Sequence, residues 1–142
     1  MKEKIIGIVL VSHGLLALEF AKALEHVVGP QDKLLTVSLF PNDDIEAKRK
    51  EILRAVRSVE DGQGVVILTD MFGGTPSNLA HSLLEGRSVE IVAGMNLPLL
   101  IKLVSVRKTK TLHEAVLLAQ EAGRKYIHAA SHVLNETHVQ DG

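Results

Sequence analysis

The sequence predicts an α/β sandwich, a doubly wound and mostly parallel sheet covered by helices on both faces. Two observations carry this. Short, near-continuous apolar runs recur along the chain: "IIGIVLV" at residues 5–11, "LLTVSLF" at 34–40, "GVVILT" at 64–69 and "VEIVA" at 89–93. Strands that are apolar at nearly every position are strands buried on both faces. Between them lie segments whose apolar residues return every three or four positions, the period of one helical face. Strand-type and helix-type segments in alternation give a parallel core sheet with right-handed crossovers.

The elements have readable boundaries. The first run stops at Ser12-His13-Gly14, where glycine allows a tight exit. Leu16, Phe20, Leu24 and Val27 then mark the apolar face of a helix that Gly29-Pro30 stops. The second strand ends at Pro41-Asn42-Asp43. Ile45, Ile52, Val56 and Val59 mark the next helix, which Asp61-Gly62 closes. The third strand ends at Asp70. After Met71-Phe72-Gly73-Gly74, Thr75 stands where an N-cap belongs and Pro76 where the first helical residue belongs. That helix is expected to reach Leu84 or Glu85 and to end at Gly86. Gly94-Met95-Asn96-Leu97-Pro98 opens a short helix after the fourth strand. Leu112, Val116 and Ala119 mark a last long helix, with Gly123 as its stop. Residues 124–130 read either as a further short strand or as the end of that helix. The domain is thus expected over 1–130, with a polar, mobile tail over 131–142.

Composition excludes several function classes. Hydrophobic residues make up 46% of the 142, enough for a real core, and a formal charge of −1 with 3% aromatics gives no footprint for nucleic acid. The basic clusters Lys48-Arg49-Lys50 and Arg107-Lys108 with Lys110 are short and read as solvated surface. With no cysteine there is no disulfide, thiolate metal site or cysteine nucleophile. No apolar run approaches the ~20 residues that span a bilayer. Met1-Lys2-Glu3-Lys4 leads straight into a β-branched run without the features of a signal peptide, so the expected location is cytoplasmic.

In open parallel sheets, ligands bind beyond the carboxyl ends of the strands, where strand order reverses. His13 and Asp70 fall at two such ends. If the order is 2-1-3-4, their strands are neighbours and the side chains come within reach. A carboxylate beside an imidazole fixes its tautomer and stabilises positive charge on the ring, leaving the other nitrogen free as a nucleophile. Gly73 and Gly74 let backbone approach a ligand, and a helix start supplies unpaired N–H groups that suit an anion. The hydroxyls of Ser12 and Thr75 would add donors. The expected chemistry is therefore phosphoryl transfer on histidine, with His13 and Asp70 catalytic, with Ser12, Gly73, Gly74 and Thr75 binding phosphate, and with no cofactor or metal. Taken singly, each feature has a plainer reading: His13 a satisfied turn residue, Asp70 a turn former, Gly73-Gly74 an ordinary turn. Their conjunction at one sheet edge favours the site. His26, His81 and His113 lie on helices, and the spacing of His128, His132 and His138 suits a polar tail better than a metal site. Asn135-Glu136-Thr137 reads as a chance match to a glycosylation acceptor.

The stretches "VSHG", "TDMFGGTPSNLA" at 69–80 and "IVAGMNLPLLI" at 91–101, in this order over roughly residues 4–130, resemble the mannose-family enzyme IIA of the bacterial phosphotransferase system. The resemblance implies phosphorylation of His13, orientation of that histidine by Asp70, and a Thr75 hydroxyl in contact with the histidine or its phosphoryl group. It implies HPr as donor, an enzyme IIB as acceptor, and a homodimer of 2-1-3-4 sheets. It also implies an antiparallel C-terminal strand near residues 124–130, exchanged between subunits in the known case. Ser12 stands where threonine is also found and Phe72 where tryptophan is found. With no IIB sequence following, the IIB is expected on a separate chain or absent, so that phosphorylation serves either sugar uptake or regulation. A dihydroxyacetone-kinase phosphodonor domain has a related start but lacks the Gly-Gly-Thr-Pro-x-Asn loop. Two further readings stand beside this one. One is a tetrapyrrole metal chelatase-like domain with His13 as ligand, although Leu15 departs from its His-Gly-Ser pattern. The other is a regulatory module that binds partners according to its phosphorylation.

Overall fold

The computed structural model describes residues 4–71, 73–83 and 88–133. Strands β1 (Gly7–His13), β2 (Leu34–Leu39), β3 (Val65–Thr69) and β4 (Val89–Ala93) form one parallel sheet of order β2-β1-β3-β4. Helices α1 (Leu16–Val28), α2 (Ile45–Val59), α3 (Thr75–His81), α4 (Leu97–Val106) and α5 (Leu112–Lys125) cover it.

The two-sided burial follows from the pleat, because successive side chains point to opposite faces. Ile8 and Leu10 of β1, Val66 and Leu68 of β3 and Val92 of β4 meet α1, α4 and α5 through Leu24, Leu100, Leu103 and Val116. Val9, Val11, Val65 and Ile67 face the other way, onto Ile52, Val56 and Val59 of α2 and Leu79 of α3. The central strands β1 and β3 are covered on both faces, which is why they are nearly continuous apolar runs.

Several boundaries and faces differ from the sequence expectation. In α1 the buried residues are Ala17, Ala21 and Leu24, while Leu16 and Val27 are exposed. Small alanines let the helix lie close to the sheet, and the face rotates accordingly. Gly74 is the N-cap of α3 and Thr75 its first residue, one position earlier than expected, because the extended backbone ends at Gly74. α3 ends at His81; Leu84, Glu85 and Gly86 lie outside the described residues. Gly123 does not stop α5, which continues to Lys125. A Cβ there would lie 3.1 Å from Leu99 Cβ, so this glycine serves the close crossing of α4 and α5. Asn96 fastens the same crossing: its Oδ1 accepts from the Leu99 amide at 3.0 Å, capping α4, while its Nδ2 donates to the Gly123 carbonyl at 2.9 Å. Residues 124–130 form no strand. Arg124 and Lys125 finish α5 and residues 130–133 are helical, so the segment takes the helix-end reading. Positions 134–142 of the expected tail lie outside the described residues.

Arg107 corrects the reading of its cluster as solvated surface. It is 1% exposed. Its Nε donates to the Ile6 carbonyl at 3.0 Å, and its terminal nitrogens donate to the Gln31 side chain and to the Asp32 and Lys33 carbonyls at 2.8 and 2.9 Å. The last turn of α4 arrives where β1 and β2 begin, and there the guanidinium serves carbonyls from both approaches. It also buttresses Lys33, whose φ of 53° is uncommon for a residue with a side chain. Burial pulls the Arg107 pKa down to about 10 against the attraction of Asp32, so the group stays cationic at neutral pH. Arg107→Met is expected to lower the unfolding free energy by about 2–4 kcal/mol, since buried carbonyls lose their donor. Urea unfolding checks this; an unchanged midpoint would mean that the interaction adds no net stability.

Candidate functional site

The site begins with a mismatch in strand length. β1 pairs with β2 as far as His13↔Leu39, but with β3 only as far as Val11↔Thr69. The His13 amide lies beyond that last pair with β3. Asp70, the first residue past β3, supplies an acceptor: its Oδ2 takes the His13 N–H at 3.0 Å. The same oxygen lies 2.9 Å from the ring Nδ1 of His13, while Oδ1 accepts the Met71 amide at 3.0 Å. Two backbone amides thus aim the carboxylate, and the carboxylate aims the ring.

The approach to Asp70 is itself braced. The Thr69 carbonyl accepts from the Gly94 and Met95 amides at 2.9 and 3.1 Å, which ties the exit of β4 to the exit of β3. The Ala-Gly-Met-Asn-Leu-Pro stretch therefore supports the site from behind.

A carboxylate only accepts, so Nδ1 carries the proton, and in the neutral ring Nε2 is the nitrogen with the lone pair. The Asp70 side chain is 11% exposed and the His13 side chain 50%. The sheltered partner is the fixed one, and the open partner is the one a reactant can meet. A half-exposed hydrogen bond of this kind adds little net stability; its effect is orientation. The Gly74 backbone lies against the ring near Cε1 and Nε2.

The remaining predicted residues divide. Gly73 and Thr75, which flank Gly74 in the loop and first turn of α3, are exposed. Ser12 sits differently from expectation. It is fully buried, its Oγ accepts the Ala17 amide at 2.6 Å and donates to the Gly14 carbonyl at 3.4 Å. Its hydroxyl holds the start of α1 rather than facing outward, because strand alternation turns Ser12 inward when His13 turns out. The anion cradle expected from a helix start is also slighter than anticipated, since α3 has seven residues. The chelatase-like reading needs a second ligand facing His13, and what faces the ring is glycine backbone. Among the described residues no three His, Asp or Glu side chains are grouped to hold a metal, and no helix is long and apolar enough to cross a membrane.

One feature escaped the sequence reading. Leu15, Leu16, Phe40 and Met71 are each about half exposed, and all four follow strand ends at the His13 edge. The signal was present as large apolar residues at strand exits, but Leu16 was assigned to the core. The more spacious hollows, of about 610 Å³ beside Lys33 and Asp61 and about 680 Å³ between α4 and α5, lie elsewhere. Among the hollows described, none is lined by His13.

Asp70→Asn keeps the shape of the side chain and removes its exclusive acceptor character. It is expected to leave the fold intact and to mix the two neutral tautomers of His13, whereas the wild type holds the proton on Nδ1. Imidazole ¹⁵N shifts distinguish the two; wild-type shifts in the variant would contradict the orienting role.

The family model described as "PTS system fructose IIA component" matches residues 7–120. The chain is 27% identical over 110 residues to the PTS system fructose-specific EIIA component of Bacillus subtilis, across 77% of this chain and 75% of that protein. It is 29% identical over 126 residues to the PTS system mannose-specific EIIAB component of Escherichia coli, across 87% of this chain but 39% of that longer protein. The crystal structure of the PTS IIA protein associated with the fucose utilization operon from Streptococcus pneumoniae matches it with a TM-score of 0.82 and 30% identity, covering 94% of this chain and 99% of that one. Sequence and fold converge on one assignment: the chain belongs to the mannose-type EIIA family of phosphotransferase-system components and is a phosphocarrier.

Proposed function

We propose that His13 carries the phosphoryl group, on Nε2, and that phospho-HPr donates it. The observation that carries this reading is the 2.9 Å contact between Nδ1 and Asp70, which leaves Nε2 as the free nitrogen. The Nε2 lone pair attacks phosphorus. The bond from phosphorus to the donor's nitrogen breaks, and its electrons return to the donor ring. The proton stays on Nδ1, so the phosphorylated ring is cationic, and Asp70 stabilises that charge. The next step repeats the displacement in the other direction, onto an enzyme IIB, in sugar uptake or in regulation. Thr75 and the backbone of Gly73 and Gly74 supply contacts to the phosphoryl oxygens. Such transfer depends mostly on positioning and electrostatics, which the braced carboxylate provides.

The exposure of Leu15, Leu16, Phe40 and Met71, each just past a strand end on the side of His13, supports protein partners over a small-molecule donor. The same reading takes the chain as a cytoplasmic homodimer. Support for the dimer is the edge strand β4, paired on one side with β3, with the exposed Ile127 lining a hollow beside Ile91, Val92 and Ala93 of that strand.

Incubation with labelled phosphoenolpyruvate, enzyme I and HPr is expected to place one acid-labile, base-stable phosphate on wild-type protein and none on His13→Ala. Equal labelling of His13→Ala would refute the reading. Asp70→Asn should be labelled about 10- to 1000-fold more slowly, with its fold unchanged by circular dichroism.

A further inference from the structure

Gly73 and Gly74 are adjacent and identical in sequence, yet the structure uses them for different reasons. Gly73 has a φ of +88° with nothing within 4 Å of a Cβ built on it, so its backbone conformation is what favours glycine. Gly74 has φ −93° and ψ 177°, an extended conformation open to any residue. It is also the N-cap of α3, where serine, asparagine or aspartate would stabilise the helix more. Backbone and capping both favour some other residue at position 74.

His13 is what stands in the way. A Cβ on Gly74 would lie 2.8 Å from His13 Cε1 and 3.2 Å from Nε2, inside normal contact distance for the first. The ring is the end of a half-exposed side chain, so it can yield by rotating. Rotation breaks the 2.9 Å contact between Nδ1 and Asp70 or turns Nε2 away from the open side. The fold can therefore absorb a side chain at position 74, and the cost falls on the geometry of the histidine.

We propose that Gly74 is a positioning residue for phosphoryl transfer: its missing side chain allows the His13 ring to rest on Asp70 with Nε2 unobstructed. This rests on the phosphohistidine reading above. Gly74 acts through His13, and the two glycines of the loop have separable duties, backbone turn at Gly73 and clearance at Gly74.

The test compares wild type, Gly74→Ala and Gly74→Ser in rapid-quench transfer from phospho-HPr, alongside thermal unfolding and His13 ¹⁵N shifts. Serine carries the same Cβ and is the better N-cap, so Gly74→Ser should unfold at or above the wild-type temperature. Both variants should lose about 10- to 100-fold in kcat, the scale set by small misplacement of a reacting group. KM should change little, and the His13 shifts should depart from the wild-type tautomer. Wild-type kcat with unmoved shifts in both variants would overturn the proposal, as would a defect confined to KM. Loss of folded structure in both variants would also overturn it, by making Gly74 a folding residue. Absence of label on wild-type His13 would instead remove the phosphohistidine reading, and this inference with it; labelled wild type with equally fast variants removes the inference alone.

Discussion

The geometry at the His13 edge of the sheet depends on one carboxylate oxygen. Asp70 Oδ2 accepts both the backbone amide and the ring Nδ1–H of His13. The first bond prolongs the sheet where β3 has run out, and the second sets the direction and tautomer of the imidazole. Because one atom makes both bonds, the ring cannot shift relative to the sheet edge without losing one of them. A secondary-structure mismatch of two residues between β1 and β3 is thereby converted into a chemical specification.

The rest of the chain holds the two residues at the right separation. Residues 57 apart in sequence meet because β1 and β3 are parallel neighbours at the switch point. The exit of β4 ties down Thr69, Ser12 ties down the start of α1, and Arg107 fastens the opposite end of β1 and β2. The site is rigid in its frame and open at its surface, an arrangement suited to a carrier that hands a group between proteins. A closed pocket would suit a small substrate better.

The strands were legible in the sequence because two-sided burial leaves a continuous apolar signature, as in residues 5–11. His13 and Asp70 were legible because polar residues at the ends of such runs are conspicuous. What escaped was whatever depends on three-dimensional company. The α1 face was misjudged because leucines advertise burial more loudly than the alanines that are buried. Arg107 was taken for a surface charge because nothing local reveals carbonyls contributed from residues 6, 32 and 33. Ser12 was read as a donor to phosphate because its type fits, while its direction is fixed by strand alternation. Gly123 was read as a stop because glycine commonly ends helices, whereas here it admits Leu99.

The central claim is that Asp70 decides which nitrogen of His13 becomes phosphorylated. The most direct measurement is ³¹P–¹⁵N NMR of the phosphorylated protein carrying ¹⁵N-labelled histidine, which identifies the bonded ring nitrogen. The account predicts phosphorus bonded to Nε2 of His13, with Nδ1 still protonated against Asp70. Phosphorus on Nδ1, or on any other residue, would contradict it.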